Sequence, residues 1–300
     1  MSIFQIVSAE DETLCMPCPQ GTIPNPAQTA CDQLPEVYLT LGSTAAIVAI
    51  SFSFSGIIFT LLVLVVFIKN HSTPVVRASG RELSYVLLTG LLLCFSVTVL
   101  LVLRPSTLVC ALQRFSIGLC FSVVYAALLV KTNRIHRIFT SGQKSSKAVG
   151  FISPSSQLAI CASLVLVQVI LNLVWLVSSP PRAIFHHPTR YDNFLVCAAS
   201  VDLSYMITFS YPIFLVIVCT VYAVLTRKIP EAFNESKFIG FSMYTTCVIW
   251  LAFVPIYIST SGHMRITSMS ITIRYLRLSF STLVFIVNII ISASRPRFVW

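Results

Sequence analysis

Charge is what this 300-residue chain has least of. Charged residues make up 10% of it and hydrophobic residues 56%, with a mean hydropathy of +0.87. Soluble domains carry about a quarter charged residues, so a soluble globular fold is a poor fit. Only ten acidic residues occur, five of them before residue 37, and none lies between Glu82 and Asp192. Intramembrane ionisable groups are equally scarce. All six lysines fall at the ends of apolar blocks or between them, which excludes a light-driven pump with a retinal Schiff base. The internal repeats and broken helices expected of a transporter are missing. So is any convergent set of nucleophile, base or metal ligands, and neither an enzyme nor a cofactor or metal site is expected. The chain does not open with a charged region, a short apolar region and a cleavage site, so no ordinary signal peptide is expected; the first apolar block would act as its own insertion signal.

What is present is apolar material in long blocks. From Phe238 to Ile258 there is no charge, and 21 residues at 1.5 Å each span roughly 30 Å, about the hydrocarbon thickness of a bilayer. Polar Asn234, Glu235 and Lys237 form its foot, and Pro255 marks a kink. Seven such blocks occur, near Ala45 to Ile68, Leu83 to Leu103, Leu108 to Val130, Leu158 to Val177, Val201 to Leu225, Phe238 to Ile258 and Ser268 to Ser292. Alternate connections and the tail hold 13 of the 20 basic residues: three between Lys69 and Arg81, five between Lys131 and Lys147, three between Arg227 and Lys237, then Arg295 and Arg297. The positive-inside rule makes these cytoplasmic and puts the N-terminal segment outside. The expected fold is an all-α seven-transmembrane helix bundle with a short cysteine-containing extracellular segment. It divides into residues 1–42 outside, 43–293 as the membrane domain and 294–300 as a short cytoplasmic tail.

The net charge of +10 suggests nucleic acid less than it suggests anionic lipid and a cytoplasmic partner, because the basic residues sit at membrane edges without a nucleic-acid motif. Cys15, Cys18 and Cys31 lack the histidines or fourth cysteine of a zinc site, and a disulfide-rich fragment is the better reading. At least one of the three then pairs outside the chain. Cys110 and Cys197 both fall on the outer side and are expected to form a disulfide that pins a loop over the bundle mouth. Cys94, Cys120, Cys161, Cys219 and Cys247 read as packing residues. Gln168 and Asn172, one turn apart, read as a helix-to-helix hydrogen-bonding pair. The sequons at Asn70 and Asn234 lie in cytoplasmic connections and are expected to stay unglycosylated.

The runs TPVVRASGRELSYVLLTG (73–90), KTNRIHRIF (131–139), FISPSSQLAI (151–160) and CTVYAVLTRKIPEAFNESKFIGFSMYTTCVIWLAFVPIY (219–257) resemble the seven-helix domain of metabotropic glutamate receptors, family C of the G-protein-coupled receptors. PSTLVCALQR (105–114) and the SGHMRI turn look most like group II members. The likeness covers about residues 15 to 270, and the opening segment resembles the end of that family's cysteine-rich domain. It implies a plasma-membrane receptor that passes activation to a heterotrimeric G protein, of the Gi/o type in this group, and that works as a homodimer or a heterodimer with related receptors.

The resemblance also assigns residues. Lys131 and Glu235 match an inactive-state salt bridge between helices, whose exposed form is worth about 0–1 kcal/mol. Tyr125, Trp250 and Phe253 match positions lining a small-molecule modulator pocket. The G-protein surface would comprise Arg134, Arg137, Phe233, Asn234 and Glu235. Three departures stand out. The family's bilobed glutamate-binding domain is absent from these residues, so glutamate is expected to have no effect on the chain by itself. FIVNIIISASRPRF (285–298) is unlike the inner end of the family's seventh helix, and Arg274 and Arg277 intrude one turn apart into the outer half of the same block. Pro212 stands where relatives often carry asparagine, which leaves the pocket's fifth-helix contact open. A truncated, non-signalling dimer partner that modulates full-length receptors is the alternative function.

Overall fold

The computed structural model describes residues 5–7, 15–38, 42–73, 76, 80–144, 153–187, 189, 192–201, 204–225 and 234–259, and for 234–240 the backbone alone. Six long helices make up most of it: α1 (Thr44–Lys69), α2 (Arg81–Val102), α3 (Thr107–Lys144), α4 (Pro154–Ser178), α5 (Ser204–Leu225) and α6 (Asn234–Ser259). All six are long and apolar enough to cross a membrane. The seventh block, with Arg274 and Arg277, and the tail 294–300 lie outside the described residues.

Local chemistry sets the helix starts. The Ser43 hydroxyl caps α1 by accepting from the Ala46 amide at 3.2 Å, and Ser153 does the same for α4 from Ser156, with Pro154 in the first turn. Gly80 caps α2 with φ +77°, and a β-carbon there would come within 2.9 Å of an Arg134 guanidinium nitrogen. Two helices outrun their apolar blocks. The third block ends at Val130, but α3 continues to Lys144, because hydropathy marks the bilayer rather than the end of the hydrogen-bond ladder. Likewise α6 begins at Asn234 and takes in the polar foot.

The helix α3 is the axis of the bundle. In its most apolar stretch 78% of residues are buried, against 22% for α1 and 17% for α4. Side chains from α2, α3, α5 and α6 form one continuous apolar core around Phe121, Val124, Tyr125, Phe209, Leu215, Trp250 and Phe253. The buried residues of α4 are instead Gln157, Cys161, Gln168 and Asn172, all on one face.

Three two-stranded antiparallel sheets complete the described structure. The pairs β1–β2 (Gln5–Val7, Cys15–Pro17) and β3–β4 (Thr22–Pro24, Cys31–Gln33) belong to the opening segment, and a disulfide joins Cys18 to Cys31. The third pair, β5–β6 (Ala183–His186, Phe194–Cys197), is a hairpin between α4 and α5, with Ala183 opposite Cys197 and His186 opposite Phe194.

Candidate functional site

At the hairpin end, the segment before α1 joins the hairpin as an added strand. Val37 pairs in parallel with Phe194: its amide donates to Asn193 O at 2.9 Å, and its carbonyl accepts from the Leu195 amide at 3.0 Å. The Asn193 side-chain amide donates to Leu34 O at 3.0 Å, and the His187 ring lies against Gly21. Arg104, following α2, adds an ion pair with Glu36 at 2.7 Å and lies 6.0 Å from the Tyr38 ring centre. The last residue of β6, Cys197, is bonded to Cys110 in the first turn of α3. A continuous covalent and hydrogen-bonded route therefore runs from the opening segment through Val37 and the hairpin into the central helix.

Midway along α3 two adjoining clusters meet. Toward α4 is a polar node: Ser122 Oγ donates to Gln168 Oε1 at 3.2 Å, Gln168 Nε2 to Asn172 Oδ1 at 2.7 Å, and Asn172 Nδ2 to Phe115 O at 3.1 Å. Gly118 makes room for it, since a β-carbon there would lie 2.6 Å from both Gln168 Nε2 and Thr208 Cγ2. Toward α5 and α6 is an aromatic cluster that brings Tyr125, Trp250 and Phe253 together. Trp250 packs edge-on to Phe253 at 5.6 Å, and its indole N–H donates to the Tyr125 hydroxyl at 3.0 Å.

The sequence pointed to only half of this cluster. Phe121 stacks on Tyr125 at 6.1 Å, and Phe209 lies 5.1 Å from Trp250 and 5.9 Å from Phe253. Tyr257 extends the row beyond Phe253 at 5.3 Å. Phe209, one turn before Pro212, supplies the α5 ring of this cluster. Spacing could have offered Phe121, one turn from Tyr125, and Tyr257, one turn from Phe253; nothing in the sequence singled out Phe209.

At the opposite, basic end Lys131 lies between α3 and α2. The residue is 6% exposed, and its ammonium donates to Ser84 Oγ of α2 at 3.2 Å. The helix α3 carries Lys131 more than three turns inside its own end at Lys144. Glu235 and Asn234 open α6, with side chains outside the described residues, and Phe233 lies outside them altogether; the Lys131 to Glu235 contact cannot be read from the described atoms. Arg134 covers the start of α2, and Arg137 Nε donates to Asn133 Oδ1 at 3.3 Å. Arg81 beside them forks onto Glu82 at 2.8 and 3.1 Å and reaches His71 Nε2 at 2.9 Å. Arg134 and Arg137 are partly to well exposed and share this end with Arg81.

Six helices long and apolar enough to cross a membrane, with a disulfide-anchored hairpin at one end of the axial helix and basic residues at the other, define a helical membrane domain. The chain belongs to the family described as the 7 transmembrane sweet-taste receptor of 3 GCPR, whose model matches residues 39–292. It is 46% identical over 263 residues to the metabotropic glutamate receptor of Drosophila melanogaster, a match covering 88% of the chain and 27% of that relative. It is 49% identical over 260 residues to metabotropic glutamate receptor 8 of Mus musculus, covering 84% of the chain and 28% of that relative. The human receptor 8 is 48% identical over the same length. The chain thus spans little more than a quarter of these curated relatives. Receptor 8 is a group III member, so these matches establish the family without distinguishing group II.

Proposed function

We propose that the chain is the transmembrane signalling portion of a metabotropic glutamate receptor-like protein of the plasma membrane. In this reading residues 1–42 are the end of an extracellular cysteine-rich domain, 43–293 a seven-helix domain with its N-terminus outside, and 294–300 a short cytoplasmic tail. The chain hands activation to a heterotrimeric G protein of the Gi/o class, as a homodimer or a heterodimer with related receptors. The observation that carries this is the route from Val37 through β6 and the Cys197 to Cys110 disulfide into α3. A strand added to a sheet transmits a pull through main-chain bonds, and the disulfide delivers it to the helix with the most neighbours.

At the far end of α3, Lys131 pairs with Glu235 in the inactive arrangement, and Arg134, Arg137, Phe233, Asn234 and Glu235 meet the G protein. Burial of Lys131 at the contact of α3 with α2 supports the bridge, since a buried ammonium is retained only where it is paired. Tyr125, Trp250 and Phe253 form the floor of a modulator pocket. A ligand entering there displaces aromatic packing and so changes how α6 sits on α3.

The deciding experiment reconstitutes the chain in nanodiscs with purified heterotrimers and measures nucleotide exchange. Exchange on Gi/o above that on other classes is expected. Folded protein that accelerates none of them overturns the reading and favours the second one, a non-signalling partner, which the unusual 285–298 run supports. Such a partner lowers the output of an intact receptor on co-expression, whereas a signalling chain adds to it. For orientation, a protease site inserted after Ser145 is expected to be cut from the cytoplasmic side alone; cutting from outside reverses the topology.

A further inference from the structure

The helix α4 is attached to the bundle without one large apolar side chain among its buried residues, which are Gln157, Cys161, Gln168 and Asn172. In a bilayer this matters, because lipid tails are as apolar as leucine and an apolar helix face gains little by leaving them for a neighbour. Ile160, Leu164 and Val165 pack half-buried on the core, and the buried polar contacts add the direction that apolar packing lacks. Gln168 and Asn172 hold its middle. Its hairpin end is held by Arg114 of α3, which is 4% exposed.

Arg114 Nη1 donates to Ser179 O at 2.8 Å and Nη2 to Trp175 O at 3.0 Å, while its guanidinium carbon lies 5.4 Å from the centre of the Trp175 ring. The last carbonyls of a helix have no partner within it, and the C-terminus is the negative end of the helix dipole. The Ser179 carbonyl lies past the last helical bond, and the Trp175 carbonyl, which already accepts from the Ser179 amide at 3.0 Å, takes Arg114 as a second donor; a planar, permanently charged fork spans both while stacking on the indole. The neighbouring Gln113 does a similar service for α2, its Nε2 donating to Leu100 O at 2.7 Å. Both residues stand one turn or less beyond Cys110, which carries the hairpin.

We propose that Arg114 is a positioning residue that locks the hairpin end of α4 to the hairpin-bearing turn of α3, so that any displacement of the hairpin moves α3 and α4 together. Its purpose rests on the receptor reading above. The clamp itself is tested without any signalling measurement, so failure of one is distinguishable from failure of the other.

The test places spin labels, introduced as unnatural amino acids that spare the native cysteines, at exposed Ile47 of α1 and Val177 of α4 in the full chain in nanodiscs. Double electron–electron resonance then reads the position of the α4 end. The unmodified chain should give one narrow distance distribution. Arg114→Lys keeps the charge but cannot fork across both carbonyls, and should add a second, displaced component; Arg114→Gln should broaden the distribution further. Arg104→Gln, at the exposed ion pair with Glu36, should leave it unchanged. A narrow distribution that persists in both Arg114 variants overturns the proposal. Should neither variant fold, amide exchange in the unmodified chain decides. Amides of residues 175–179 exchanging as slowly as those of 168–172 support the clamp, and exchange as fast as at a freely fraying helix end overturns it.

Discussion

The indole N–H of Trp250 donates to the hydroxyl of Tyr125 at 3.0 Å, joining α6 to α3 at the centre of an aromatic cluster. Both residues are buried, at 3% and 0% exposure, among Phe121, Phe209 and Phe253. Water does not reach the pair, so a donor left without its acceptor there carries the full cost of its desolvation.

Trp250→Phe and Tyr125→Phe should therefore each lower stability by about 1–3 kcal/mol, read as a reduced thermal midpoint in nanodiscs. The double variant should lose clearly less than the sum of the two, since both remove the same bond. Strict additivity would mean the bond contributes nothing.

Gly118 is the position where the polar node and α5 approach the α3 backbone most closely. Gly118→Ala places a methyl group 2.6 Å from Gln168 Nε2 and Thr208 Cγ2. Neither can withdraw without breaking the node or shifting α5, so overpacking should cost about 1–3 kcal/mol. Pairing it with Gln168→Ala, which vacates part of the space, should recover some of that loss in the same melting assay.

The opening segment holds the hairpin by main-chain bonds rather than by its ion pair. Val37→Pro deletes the amide that donates to Asn193 O, and should speed exchange of the Leu195 amide and loosen the junction. Arg104→Ala removes an exposed bridge worth about 0–1 kcal/mol and should leave that exchange rate nearly unchanged. Equal effects from the two substitutions would contradict the strand-addition picture.

Charge reversal tests the inactive-state bridge proposed at the basic end. Lys131→Glu and Glu235→Lys alone should each raise basal Gi/o activation, and the swapped double variant should return it toward the parental level. Ser84→Ala, which removes the hydroxyl 3.2 Å from Lys131 Nζ, should have the same direction as the single reversals but a smaller effect. Identical basal activity in parent, both single reversals and the double variant, at equal surface expression, would rule the bridge out as a switch.

Hydropathy alone located the six described helices, though not where α3 runs on from Val130 to Lys144, because about twenty apolar residues are what a bilayer requires and few soluble sequences supply them repeatedly. The capping serines were not picked out: Ser153 starts α4 at Pro154, four residues before the apolar block at Leu158, because a polar first turn carries no hydropathy signal. The inward face of α4 was legible, for an amide in hydrocarbon must find a partner and Gln168 and Asn172 point to where theirs are. What the sequence could not determine is which face of an apolar helix turns inward. Lipid and protein interior are alike in polarity, so α1, α5 and α6 carry no stripe that separates them. Only the tertiary structure brought Phe209 against Trp250, buried Lys131 beside Ser84 and laid Arg114 across the end of α4. Each of these depends on helix rotation and on contacts between residues 40 or more positions apart, which are settled by packing and hydrogen-bond satisfaction across helices and leave no mark on local composition.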